Sequence, residues 1–135
     1  MNDNGPRLTL GVEEEYLLVD KDTRALVVDP PDGLMQECEE RLGIQVSTEL
    51  LQSQVEIGTS ICTNVQEVRS ELIRLRGNIK EVANKYGLEP IASSTHPFSS
   101  WQDQKATPKE RYDQLTIEMQ GAARRLLICG MHVHV

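Results

Sequence analysis

The sequence predicts an α+β domain in which helices cover one face of an antiparallel sheet. Three observations carry that prediction. Apolar and polar residues alternate near 8–19, 51–57 and 126–135, the period-two pattern of strands. Val65, Val68, Leu72, Leu75, Ile79, Val82 and Tyr86 recur at spacings of three and four, the mark of a long one-faced helix. Turn residues at 20–23 join the first strand to an apolar return, which makes that pair antiparallel. The chain has 135 residues, 39% of them apolar, enough for one modest domain with its own core.

The first strand is expected from about Leu8 to Val19, with Leu8, Leu10, Val12, Tyr16 and Leu18 on one parity. Glu13 and Glu15 fall on the other, beside Thr9 and Gly11. Glu14 sits on the apolar parity, so it must reach water, pair with a base or lie at the sheet edge. Residues 25–28 read as the returning strand of a hairpin. Asp29-Pro30-Pro31-Asp32 breaks the chain, and Gly33 to Leu42 reads as a short helix with Leu34, Cys38 and Leu42 inward and Gly43 as its stop. Residues 44–57 read as a strand whose polar face ends in Glu56. Glu49 lies seven positions earlier, so either a bulge intervenes or it belongs to the approach loop. The long helix runs from Asn64 to Tyr86, with Thr63 as N-cap, Gln66 at the capping-box position and Gly87 closing it. It should cover one side of the sheet.

Residues 88–93 read as a short strand. The stretch 94–107 has no periodicity and holds His96, Phe98 and Trp101, so it is a substrate lid or, as the safer reading, a flap packed on the core. His96, before Pro97, reads as structural. A helix from Pro108 to about Ala122 presents Tyr112, Leu115 and Met119 inward. A last strand then runs from Leu126 to Val135, with Cys129, Met131, Val133 and Val135 on one parity and Gly130, His132 and His134 on the other.

Composition narrows the function. Fourteen Lys and Arg stand against 21 Asp and Glu, a formal charge of −7, which argues against a nucleic-acid or anionic-membrane surface. No apolar run reaches transmembrane length, and residues 1–7 hold no apolar signal core. Three cysteines, far apart and without a Cys-x-x-Cys pair, support neither a zinc ribbon nor a disulfide framework, and fit a reducing cytoplasm. No Gly-rich phosphate loop is present.

The chemistry-bearing residues are carboxylates and imidazoles. Glu13 and Glu15, two apart on a strand, lie about 7 Å apart on one face. Such a pair is either a solvated edge or the seat of one or two hard divalent cations. His132 and His134 have the same spacing, suited equally to metal ligation or to a hydrogen-bonded structural pair.

Together, Gly11-Val12-Glu13-Glu14-Glu15-Tyr16, the segment Glu49 to Thr59, Thr95-His96-Pro97-Phe98, Thr107-Pro108-Lys109-Glu110-Arg111-Tyr112 and Cys129-Gly130-Met131-His132-Val133-His134 resemble the type-two glutamate–cysteine ligases. These bacterial carboxylate–amine ligases belong to the glutamine synthetase superfamily. The resemblance implies a curved antiparallel sheet with helices on its outer face and acidic residues on its inner face that hold Mg2+ or Mn2+. Carried over, Glu13, Glu15 and Glu56 are metal ligands, Glu49 a further candidate, His132 the histidine ligand, and His134 a neighbour of the nucleotide phosphates. Lys and Arg would supply further phosphate contacts, for which Arg124 and Arg125 are candidates by position alone. The implied reaction uses ATP to turn the side-chain carboxylate of glutamate into an acyl phosphate, which the amine of cysteine, or of another acceptor, displaces.

Members of that family are much longer than this chain. Residues 1–135 are therefore expected to be the N-terminal portion of a single catalytic domain, inactive alone and prone to self-association through an uncovered last strand. A homo-oligomer is left open. Outside the ligase reading stand a small non-catalytic metal module and an interaction domain that uses the long helix stripe.

Overall fold

The computed structural model describes residues 8–108 and 127–135. The helix expected from Pro108 and the pair Arg124 and Arg125 lie outside them, apart from Pro108 itself. The described chain is an α+β unit: five strands in an open antiparallel sheet, with two helices on one face. The strands are β1 (Gly11–Asp20), β2 (Val46–Thr48), β3 (Gln54–Gly58), β4 (Leu88–Ile91) and β5 (Met131–His134). The helices are α1 (Asp32–Leu42) and α2 (Val65–Lys85).

β1 is the centre of the sheet. One edge pairs with β3, which in turn pairs with β2. The other edge is shared end to end: Leu17–Asp20 pair with β4, and Gly11–Glu14 pair with β5. Every strand pair is antiparallel. The ten residues of β1 thus receive partners from the middle of the chain and from residues 131–134.

The even-numbered face of β1 meets the helices. Tyr16 and Leu18 join Val55 and Ile57 of β3, Leu34, Cys38 and Leu42 of α1, and Leu75, Ile79 and Val82 of α2 in the main core. All of α1's expected inward residues are buried, and Gly43 ends it with φ of 58°, a backbone that favours glycine. Gly87, at φ of 72°, follows α2.

The odd-numbered face is divided. Leu17 and Val19 pack with Leu26, Leu51, Leu127 and Cys129 in a second, smaller core, against which Trp101 is partly buried. Nearer the start of β1 the same face carries Glu13 and Glu15. The 94–107 stretch is therefore a packed flap. His96 is buried; its Nε2 lies 3.0 Å from the carbonyl of Arg24, and its Nδ1 accepts from the Ser99 amide at 3.0 Å. Both contacts make it structural.

Four expectations need correction. Residues 25–28 return beside β1 for a single bridge, Val19 to Leu26, rather than a strand. Pro30 and Pro31 follow at once and cannot donate to a ladder, and β3's approach already takes the Leu18 amide through Ser53 O. Residues 44–57 are two strands joined by a turn, so parity cannot be counted across them: Leu51 swings to the second core while Val55 and Ile57 face the helices. The N-cap of α2 is Asn64, whose side chain accepts from the Glu67 amide at 3.0 Å. Glu67 reaches back to the Thr63 amide at 2.6 Å, so the capping box is shifted by one residue from Thr63 and Gln66. Val65, counted in the inner stripe, is the first residue of α2 and 69% exposed.

Candidate metal centre

The acidic face is built by register. Glu15 pairs directly with Glu56, and Glu13 with Gly58 on one side and His132 on the other. Directly paired residues of antiparallel strands point to the same face. Glu13, Glu15, Glu56, His132 and His134 therefore share one surface, opposite α2. Gly11 and Gly58 lie among them; a methyl group at Gly58 would stand 4.0 Å from the Glu13 side chain, so the glycines keep the floor low.

Glu49 reaches this surface from the β2–β3 turn, which resolves its parity: it is a loop residue, and no bulge is needed. One oxygen from each of Glu15, Glu49 and Glu56 lies within 4.8 Å of the others. Their visible partners are neutral. The Gly130 amide donates to Glu15 at 2.9 Å, Ser47 Oγ to Glu56 at 3.1 Å, and the Leu50 amide to Glu49 at 3.1 Å. Among the described residues none of the three forms an ion pair. Three half-buried carboxylates without a cation repel one another, and three hard oxygen donors at this separation fit a hard divalent ion such as Mg2+ or Mn2+.

Glu13 belongs to a second group. Its Oε2 lies 3.2 Å from His134 Nε2 and 3.4 Å from His132 Nδ1. The hydrogen bond from His134, aided by His132, holds the Glu13 carboxyl below its ordinary value. The five residues expected as ligands thus share a face but form two adjoining groups, Glu15, Glu49 and Glu56 in one and Glu13 with His132 in the other, where His134 joins them.

Glu14 points the other way. Burial pushes its carboxyl up, but hydrogen bonds from Arg76 and Tyr16, with the Arg76 charge, outweigh it and leave it below the ordinary range. Arg76 Nε lies 2.8 Å from Glu14 and 2.9 Å from the Tyr16 hydroxyl. Of the three routes open to Glu14, pairing with a base is the one taken. Burial, together with the Glu14 charge, raises the Tyr16 hydroxyl. Burial pushes the thiol of Cys129, beside the acidic face, up to about 11, away from the thiolate form.

The sequence reading missed what braces the site. Thr107 donates its hydroxyl to the Glu49 carbonyl at 2.5 Å, and its amide donates to Leu50 O at 2.9 Å. Gln54 was seen only as one residue of a polar face, yet it is buried. A buried glutamine between two glutamate-bearing segments is the one signal that could have marked it.

The chain matches the description "Glutamate-cysteine ligase family 2" over residues 9–135. A protein of Rhodospirillum rubrum described as "Putative glutamate--cysteine ligase 2" is 50% identical over 134 residues, covering 96% of this chain and 34% of its own length. A Jannaschia protein of the same description is 49% identical over 127 residues, covering 94% and 33%. The chain thus spans about a third of the length of these relatives. Two solved structures share the fold. A bifunctional glutathione synthetase from Pasteurella multocida superposes with a TM-score of 0.73 at 14% identity, covering 93% of this chain and 16% of that one. A glutamate–cysteine ligase from Francisella tularensis, in complex with AMP, gives 0.70 at 15% identity, covering 93% and 26%. Through the match over residues 9–135, the chain belongs to glutamate–cysteine ligase family 2.

Proposed function

We propose that this chain supplies the metal-binding wall of an ATP-dependent carboxylate–amine ligase. The observation that carries the reading is the cluster of Glu15, Glu49 and Glu56, three carboxylates within 4.8 Å and without a cationic partner among the described residues. Glu15, Glu49 and Glu56 would hold one Mg2+ or Mn2+, and Glu13 with His132 a neighbouring one. His134, next to Glu13, would lie toward the nucleotide phosphates. A bound divalent ion would supply positive charge between two anions, the terminal phosphate of ATP and the attacking carboxylate.

In the reaction, the side-chain carboxylate of glutamate attacks the terminal phosphorus of ATP, giving an acyl phosphate and ADP. The amine of cysteine, or of another acceptor, then attacks the acyl carbon. An amide forms, phosphate leaves, and the amine loses a proton. Residues of this chain act by orientation and charge. Strand register and the donors Gly130 N and Ser47 Oγ hold Glu15 and Glu56 on the face where they would meet an ion. The family membership and the AMP bound by the Francisella relative support nucleotide chemistry.

The full-length protein tests the reading. ADP release that requires glutamate, an amine and Mg2+ is expected, and Glu15→Gln should lower its rate far more than it lowers the melting temperature. Metal binding without ADP release for any amine would favour a non-catalytic metal module. Equal losses of rate and stability would make Glu15 structural.

A further inference from the structure

Gln54 is a buried polar residue on the acidic face. It sits in β3 two positions before Glu56 and pairs with Leu17, on the boundary between the second core and the carboxylates. Its amide is committed at both ends. Oε1 accepts from the Leu51 amide at 3.2 Å, and Nε2 donates to the Ile128 carbonyl at 2.8 Å. The first bond holds the turn that presents Glu49. The second holds the segment that leads into Gly130, whose amide grips Glu15, and into His132. One side chain therefore ties three separate pieces of chain, the β2–β3 turn, β3 and the approach to β5.

We infer that Gln54 is a positioning residue of the metal centre, setting the distance of Glu49 from the Glu15–Glu56 pair. The inference rests on the metal reading above. Glu49 depends on such a brace more than its partners do. Glu15 and Glu56 are fixed by the ladder, whereas Glu49 lies in a turn held by Gln54 on one side and Thr107 on the other. The amide is suited to this. It offers one acceptor and one donor about 2 Å apart, matching one backbone N–H and one backbone C=O, and it brings no charge into the second core. An apolar residue of the same length would leave the Leu51 amide and the Ile128 carbonyl without these partners.

The test uses the full-length protein and Mn2+ as the probe, with binding followed by calorimetry and by the electron paramagnetic resonance spectrum of the bound ion. Gln54→Met should weaken Mn2+ binding between about 10- and 100-fold, the range for residues that orient metal ligands. It should also broaden the bound-ion spectrum while the circular dichroism spectrum is unchanged. In a Glu49→Gln background the same substitution should have little further effect, because the ligand it positions is already gone. Gln54→Asn keeps the amide but is one methylene short, and it carries the test if Gln54→Met does not fold. Undiminished Mn2+ affinity in a folded Gln54 variant, with Glu49→Gln still weakened, would overturn the positioning role alone. So would an equal Gln54 effect with and without the Glu49 carboxylate, or the unfolding of both Gln54 variants. No Mn2+ binding by the wild-type protein would instead overturn the metal reading itself.

Discussion

Glu15 and Glu56 are direct cross-strand partners, side by side on one face of the sheet, with no cation paired to either among the described residues. Like charges directly opposite destabilise a strand pair. The arrangement therefore works against the metal-free fold and in favour of a bound ion. Glu56→Gln keeps the shape and can still accept from Ser47. In metal-free protein it should be neutral or stabilising, by about 0.2–1 kcal/mol. The rise in melting temperature on adding Mn2+, expected of any ligand that binds only the folded state, should be lost. Thermal melts with and without Mn2+ decide this, and a clear drop in metal-free stability would show that the carboxylate has a favourable partner instead.

Arg76 and Glu14 form the other charge relationship, on the helical side. Glu14 has 8% of its side chain exposed and Arg76 has 51%, so the pair is buried at one end only. Arg76→Met removes the charge and leaves the carboxylate in the core. The expected loss at neutral pH is about 1–3 kcal/mol, below the figure for a fully buried pair because water screens the guanidinium. The sign with pH follows from Glu14. Its carboxyl lies below its ordinary value, so its contribution is present above the unfolded carboxylate range, about pH 4.3, and is lost as pH falls through the folded value. In the variant only the Tyr16 hydrogen bond still opposes burial, so Glu14 rises and protonation restores part of the lost stability. Urea unfolding of both proteins at pH 7 and about pH 3 should show the gap closing on acidification. A gap of constant size would mean that Arg76 acts through its stem.

Leu75 is fully buried, whereas Leu72 is only partly so. Leu75→Ala should cost about 2–5 kcal/mol, and Leu72→Ala less, in proportion to the smaller cavity it leaves. Val65→Ala, at an exposed position of the same stripe, should stay within about 0.5 kcal/mol. Denaturant midpoints rank the three. A Val65 effect as large as that of Leu75 would point to a partner seated on that end of the helix.

Period and punctuation revealed the elements whose neighbours are local. The stripe of α2, the inward face of α1 and the parity of β1 were legible because each depends on residues a few positions apart. Glu13 and Glu15 could be placed on one face for the same reason, whereas joining Glu56 to them rested on the resemblance, because cross-strand register is not local. Glu49 could not be placed, because a turn between β2 and β3 resets the parity, and where the turn falls depends on Thr107 and Gln54 rather than on local propensity. The second core was hidden likewise. Leu17 and Val19 share their parity with two glutamates, and what covers them, Leu51, Leu127 and Trp101, comes from distant segments. Glu14 announced itself as an anomaly, but its base lies 62 positions away. Resemblance to a ligase family connected segments that spacing could not.

His96 gives the remaining contrast, a histidine in the motif 95–98 whose two ring nitrogens both meet backbone groups. Nδ1 accepts from the Ser99 amide, so the ring proton resides on Nε2, which donates to the Arg24 carbonyl. Arg24 has φ of 62°, in a region that non-glycine residues rarely occupy, and this bond helps to hold it there. The ring thereby fastens the 94–107 flap to the turn after β1, across a separation of 72 residues. His96→Ala would leave the part-buried Arg24 carbonyl and Ser99 amide without these partners and remove the imidazole that the Phe98 ring meets edge-on at 4.6 Å. The expected cost is about 1–3 kcal/mol, with faster proteolysis within residues 94–107 as the flap loosens. Mn2+ affinity, read on protein still folded at low temperature, should fall far less than in Glu49→Gln, because the ring reaches the carboxylates only through the flap and its Thr107 brace. A variant that keeps its stability but loses Mn2+ or ATP turnover would move His96 from the scaffold to the reaction.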